Sequence, residues 1–167
     1  YRHTATDDSQ TDVCPFKCDD MSAQRQLNVK GREAARQNSA AIVKLGIPAG
    51  DVCTSKLKRA IETGKLLTGK EVTPVDALTD SSNASASDMA NPTAGNTKAG
   101  LAVRQLVDAA PKPGTNTFLI THKTNIGDAF GKEAGDVADG EAFVYKASAS
   151  GAATFVARIK PSDWMVQ

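Results

Sequence analysis

The sequence predicts an α/β domain with a largely parallel sheet. Three observations carry that reading. Short apolar runs bounded by turn residues, clearest at Thr117-Phe118-Leu119-Ile120-Thr121, have the length and composition of buried strands. Segments of helical period lie between them, and strand–helix alternation gives a layered fold. At 167 residues the chain has the size of one domain with its own core, so residues 1–167 are taken as a single unit.

Taken in order, Tyr1-Arg2-His3-Thr4 opens the chain as a strand stub, and residues 7 to 26, with Pro15 and five aspartates, form a long polar loop. Asn28 is a suitable N-cap for a helix reaching about Leu45, with Ala34, Ala41, Ile42 and Leu45 on its apolar face and Gly46 and Pro48 beyond it. Asp51 to Thr54 is a strand, Leu57 to Leu67 a helix closed by Gly69, and Val72 to Val75 a strand that Pro74 assigns to an edge. Residues 79 to 98 are almost wholly small and polar, the composition of a lid or an insertion. A helix from Ala99 to Ala109 turns Leu101, Ala102, Leu106 and Val107 inward. The buried strand Thr117–Thr121 delivers His122 at its carboxyl end, a helix follows from Asn125 to Phe130, and Phe143–Lys146 with Thr154–Ile159 make a hairpin across Ser150-Gly151. No internal repeat is present.

Composition excludes several function classes. With 20 basic and 19 acidic residues the net charge is +1, which supplies no general field for nucleic acid or an anionic membrane, so neither is an expected partner. No apolar run approaches the ~18 residues of a membrane span. The three cysteines, Cys14, Cys18 and Cys53, allow a link from either of the first two to Cys53 or three separate thiols. One Cys-x-x-x-Cys pair and two distant histidines do not make a zinc ligand set, so no metal or other cofactor is expected. The abrupt opening and the Ala/Thr/Ser-rich composition lean toward export to the periplasm or beyond.

The chemistry resides in the two histidines, the only ones in the chain, each at the end of a strand-like run. Sites in parallel sheets collect outside the carboxyl ends of strands, so His3, Arg59 and His122 converge although dozens of positions separate them. A transferred phosphoryl group needs an in-line nucleophile, cationic donors for its oxygens, and an acid for the leaving oxygen. His3 fits the nucleophile, since adjacent Arg2 and Arg59 disfavour its protonation and keep a lone pair available. The same guanidiniums bind phosphate oxygens as forks, and His122 donates one more hydrogen bond. A phosphohistidine on His3, hydrolysed by water, is the expected intermediate, and the arginines offset the charge that a magnesium ion would otherwise balance.

Four segments in order resemble the histidine phosphatase superfamily, the phosphoglycerate-mutase-like proteins, over nearly the whole chain. Arg2-His3-Thr4 is similar to the Arg-His-Gly/Ala motif; Gln24 to Ala34 is similar to the Leu-Ser-x-x-Gly-x-x-Gln-Ala helix entry. Thr54-Ser55-Lys56-Leu57-Lys58-Arg59-Ala60-Ile61-Glu62-Thr63 matches Ser-x-x-x-Arg-Ala-x-x-Thr, and Phe118 to Ile126 resembles the strand with the second histidine. The resemblance implies a three-layer α/β/α fold, a metal-independent phosphomonoesterase acting on a small phosphorylated substrate, and Arg2, His3, Arg59 and His122 as its site. It also implies a first strand ahead of the Arg-His motif, of which only Tyr1 remains. For the general acid, Glu141, at the start of the strand after His122, is preferred over Asp80 in Leu78-Thr79-Asp80; Lys123 occupies the position another branch gives its acid. Arg25 is a further candidate for substrate contact. The alternatives are a phospho-ligand binding domain without turnover and, behind it, a phosphomutase.

Overall fold

The computed structural model describes residues 1–13, 19–79, 94–131 and 133–165, with the side chains of 94–97 set aside. Among these, Cys53 carries a free thiol, while Cys14, Cys18 and Asp80 lie outside the described residues. The alternation read from the sequence is present. Helix α1 (Val29–Lys44) leads to strand β1 (Ala49–Thr54), helix α2 (Lys58–Thr68) and the short strand β2 (Thr73–Pro74). Helix α3 (Ala94–Asp108) precedes β3 (Asn116–Ile120), helix α4 (Lys123–Phe130) and the antiparallel hairpin of β4 (Ala142–Lys146) and β5 (Thr154–Ile159).

The central sheet is parallel, in the order β2-β1-β3, with Val52 opposite Phe118 and Cys53 opposite Thr73. Pro74 stands on its outer strand, where the missing N–H costs no ladder bond. An apolar cavity of ≈ 620 Å³ is lined by Tyr1, Phe118, Leu119, Phe143, Val107 and Trp164 among others. Its lining includes residues of both β3 and β4, and it does not include His3, Arg59 or His122. Because Phe118 and Leu119 face it, β3 is only half-buried over most of its length, with Ile120 fully buried.

Two inward faces differ from those read off the sequence. In α1 the buried residues are Gly31, Ala35, Asn38, Ala41 and Ile42, and Leu45 is exposed. The helix ends at Lys44 with Leu45 as its C-cap, and Gly46 with φ +66° then turns the chain. In α3 Val103 is buried and Leu101 is exposed, and the helix starts at Ala94, five residues earlier than composition suggested. Leu106 and Val107 line the apolar cavity with Val103, so the inward face is shifted only at Leu101. Cores form around Ile42, Ala60, Leu67, Ile120 and Trp164 on one side and Ile126, Ala134 and Val137 on the other.

Candidate active site

The opening segment takes its position from backbone hydrogen bonds on both flanks. Arg2 bridges Thr121 in parallel, the His3 N–H donates to the Thr121 carbonyl at 3.1 Å, and the Arg2 N–H donates to the Glu141 carbonyl at 3.0 Å. Residues 1–3 thus run between the carboxyl end of β3 and the start of β4, and His3 and His122 leave adjacent strand ends. Their ring centroids are 5.2 Å apart, edge to face.

Each imidazole is held by one hydrogen bond, and for His3 that bond fixes the tautomer. His3 Nδ1 is 2.8 Å from the Thr4 carbonyl oxygen, which can only accept, so the proton resides on Nδ1 and the lone pair on Nε2. Burial pushes the His3 pKa down to about 3; the Thr4 carbonyl opposes this, and Arg59, Arg2 and Arg25 lower it further. On the other ring, His122 Nε2 is 2.7 Å from Ser55 Oγ. That hydroxyl also accepts the Leu57 N–H at 3.1 Å and keeps a second lone pair and its own proton for the ring; where the hydroxyl donates to Nε2, Nδ1 of a neutral His122 is left as a donor. Burial, His3 and the three arginines hold His122 well below the ordinary histidine pKa.

Arg59 lies in the first turn of α2, whose start is fixed by Gln24: the Gln24 side-chain oxygen accepts the Lys58 N–H at 2.9 Å. Thr63 Oγ1 donates to the Arg59 carbonyl and accepts the Thr4 N–H, tying α2 to the nucleophile's turn. Helix α1 is pressed against the same segment at Gly31, where a Cβ would stand 2.0 Å from the Ala5 carbonyl oxygen. The Nε atoms of Arg2, Arg25 and Arg59 and Nδ1 of His122 are buried without a hydrogen-bond partner. Desolvation lowers the Arg59 pKa, and Arg25 and Arg2 add to that, so the three guanidiniums share one electrostatic neighbourhood. Buried donors left unpaired cost free energy, and an oxyanion is the ligand that relieves it.

Two carboxylates and a carbonyl hold the terminal nitrogens of Arg59 and Arg2. Arg59 Nη1 and Nη2 donate to the two Asp12 oxygens at 2.8 and 3.0 Å, and the Arg25 N–H donates to the same Asp12 at 2.9 Å. Arg2 Nη2 is ion-paired with Asp139 at 2.8 Å, and Nη1 donates to the Val137 carbonyl.

The structure thus brings Arg2, His3, Arg25, Arg59 and His122 together, and treats Glu141 differently. Its side chain is buried, with Arg158 donating to both oxygens and the Ala138 N–H to one of them at 2.7 Å. Burial raises its pKa, but Arg158 and the Ala138 N–H outweigh that and hold it below the ordinary carboxyl value. A carboxylate kept ionised by three donors is a poor source of a proton, so the acid role expected for Glu141 does not fit this geometry. Sequence reading passed over Asp12 and gave Ser55 no role. Ser55 was visible as the first residue of Ser-x-x-x-Arg, whereas Asp12 had no local signal among the five aspartates of its loop.

No family model and no curated protein matches the chain. Solved structures do. The protein histidine phosphatase SixA, complexed with tungstate, aligns with a TM-score of 0.61 at 16% identity over 97% of this chain and 95% of its own. Phosphoserine phosphatase from Entamoeba histolytica, with 3-phosphoglyceric acid, aligns at 0.64 and 13% identity over 94% and 93%. A mycobacterial glucosyl-3-phosphoglycerate phosphatase with inorganic phosphate aligns at 0.63 and 15% identity over 99% and 97%. With helices beside a parallel sheet and this likeness over almost its full length, the chain has the phosphoglycerate-mutase-like α/β fold of the histidine phosphatases.

Proposed function

We propose that the protein is a metal-independent phosphomonoesterase that works through a phosphohistidine on His3. The observation that carries this reading is the fixed tautomer of His3: the Thr4 carbonyl leaves its Nε2 as a buried lone pair, next to the His122 ring, whose Nδ1 is buried without a partner. In the reaction Nε2 attacks phosphorus in line with the ester oxygen. His122 Nδ1 and the guanidiniums of Arg2, Arg25 and Arg59 hold the equatorial oxygens, where charge accumulates. Water then attacks the phosphohistidine, and the N–P bond electrons return to Nε2. The depressed pKa values keep both imidazoles neutral through mildly acidic pH, as nucleophile and donor require. Three neighbours of the same fold carry tungstate, 3-phosphoglyceric acid or phosphate, which supports an oxyanion as the ligand.

A phospho-ligand binding domain without turnover is favoured by one observation, that Asp12, Asp139 and Glu141 are each paired with an arginine. p-Nitrophenyl phosphate across pH 4 to 8 separates the two, with His3→Ala as control. Turnover that His3→Ala abolishes, with label from ³²P-substrate retained on the wild-type protein in alkaline but not acidic quench, is the expected result. Equal release by both proteins leaves only binding.

A further inference from the structure

Among the carboxylates around the arginines, Asp12 stands apart in what it occupies. It takes both terminal nitrogens of Arg59 in the two-pronged geometry that a phosphoryl group takes, at 2.8 and 3.0 Å. Asp139 meets Arg2 through one oxygen, and Glu141 is turned to Arg158. Asp12 is also the more open of the two groups: its side chain is 20% exposed, whereas His3 is 3% exposed. In-line attack by the buried imidazole requires the ester oxygen to leave on the far side of phosphorus from His3, toward the more open groups of the site.

We infer that Asp12 is the proton donor to the leaving oxygen, displaced from the Arg59 fork by the incoming phosphate and held beside it, and that the site is thereby equipped for phosphate monoesters of aliphatic alcohols. The inference rests on the phosphatase reading above. In the resting protein the Arg25 N–H and Arg59 outweigh burial and keep the Asp12 carboxyl below its ordinary pKa. A dianionic phosphate on the fork takes away the Arg59 partner and adds like charge, and both changes favour uptake of one solvent proton by Asp12. As Nε2 bonds to phosphorus and the P–O ester bond breaks, that proton moves to the departing oxygen, releasing alcohol and an ionised Asp12. In the second half, the carboxylate takes a proton from the attacking water as its oxygen bonds to phosphorus and the N–P bond breaks. Inorganic phosphate leaves, and Asp12 is again protonated until it returns to Arg59.

The test compares a poor and a good leaving group, 2-glycerophosphate and p-nitrophenyl phosphate, in Asp12→Asn and Asp12→Ala. A general acid is worth about 10²–10⁴-fold, and only where the leaving group needs the proton. The expected result is a loss of roughly 10²-fold or more in kcat on 2-glycerophosphate against less than about tenfold on p-nitrophenyl phosphate. Inhibition by orthovanadate should be as tight as in the wild type or tighter, because no resident anion has to be displaced. Equal slowing of both substrates, with weaker vanadate inhibition, assigns Asp12 to holding Arg59 and overturns the inference while the phosphatase reading stands. Selective loss in Asp139→Asn instead overturns it in favour of Asp139. Wild-type turnover that His3→Ala leaves intact removes the phosphatase reading itself, an outcome separate from the other two.

Discussion

Replacing Glu141 by glutamine separates a catalytic from an architectural carboxylate. The glutamine keeps the shape but not the charge, and its amide NH₂ must face Arg158 or the Ala138 N–H, both of which are donors. Removing one member of a buried ion pair costs ~3–5 kcal/mol, and since the Arg158 side chain is 28% exposed and can rehydrate, about 2 kcal/mol is the expected loss. At ~2–4 °C per kcal/mol for a domain of this size, the melting temperature falls by roughly 4–8 °C. The folded-state carboxyl pKa is depressed, so its stabilisation is present above the unfolded value and is lost as pH falls through the folded one. The gap between wild type and variant should therefore close at acidic pH. Activity is affected through position. The Glu141 carbonyl accepts the Arg2 N–H and the Gly140 N–H reaches the Arg2 and His3 carbonyls, so loosening this turn shifts nucleophile and fork together. The expected kinetic effect is a loss of about tenfold or less in kcat, equal for 2-glycerophosphate and p-nitrophenyl phosphate. Thermal unfolding by circular dichroism and steady-state kinetics read the two effects. An unchanged melting temperature with selective loss on 2-glycerophosphate would refute this account and restore Glu141 as the acid.

Ser55→Ala removes the hydroxyl hydrogen-bonded to His122 Nε2 and strands the Leu57 N–H; a loss of about 1–3 kcal/mol in stability and a fall in kcat of roughly tenfold or more, the same for both leaving groups, are expected. Wild-type kcat in that variant would show that His122 does not depend on that bond. His3 has a folded pKa of about 3 against an ordinary 6.5, so between those values the unfolded chain binds a proton that the folded one refuses. Its contribution is complete above pH 6.5 and declines as pH falls toward 3, and denaturant melts should show a shallower pH slope from 6.5 to 4.5 in His3→Gln than in the wild type. Equal slopes would contradict the depressed pKa. Gly31→Ala places a Cβ 2.0 Å from a backbone carbonyl oxygen; the ~1–3 kcal/mol of overpacking exceeds the gain of up to about 1 kcal/mol in helix propensity, and the melting temperature should drop by several degrees. A variant as stable as wild type would mean that α1 can move off the 4–6 segment.

The sequence by itself determined the elements that local chemistry specifies. Asn28 caps α1 with its side chain on the Gly31 N–H, Gly69 closes α2 in the left-handed region, and Pro74 marks an outer strand. It also determined which residues meet, because a parallel sheet gathers its strand ends, and His3, Arg59 and His122 each follow one. What only the tertiary structure decided are matters of direction and partnership. The inward face of α3, with Val103 in place of Leu101, depends on the elements that helix packs against, and composition did not mark them. Whether a carboxylate donates a proton or anchors a turn depends on what faces it, and Arg158, on a strand 17 positions away, faces Glu141. Asp12 reaches Arg59 across 47 positions, from a loop with no periodicity to read. Backbone preferences act within a few residues and are written in the chain; ion pairs form through space, and their partners are fixed only when the fold closes.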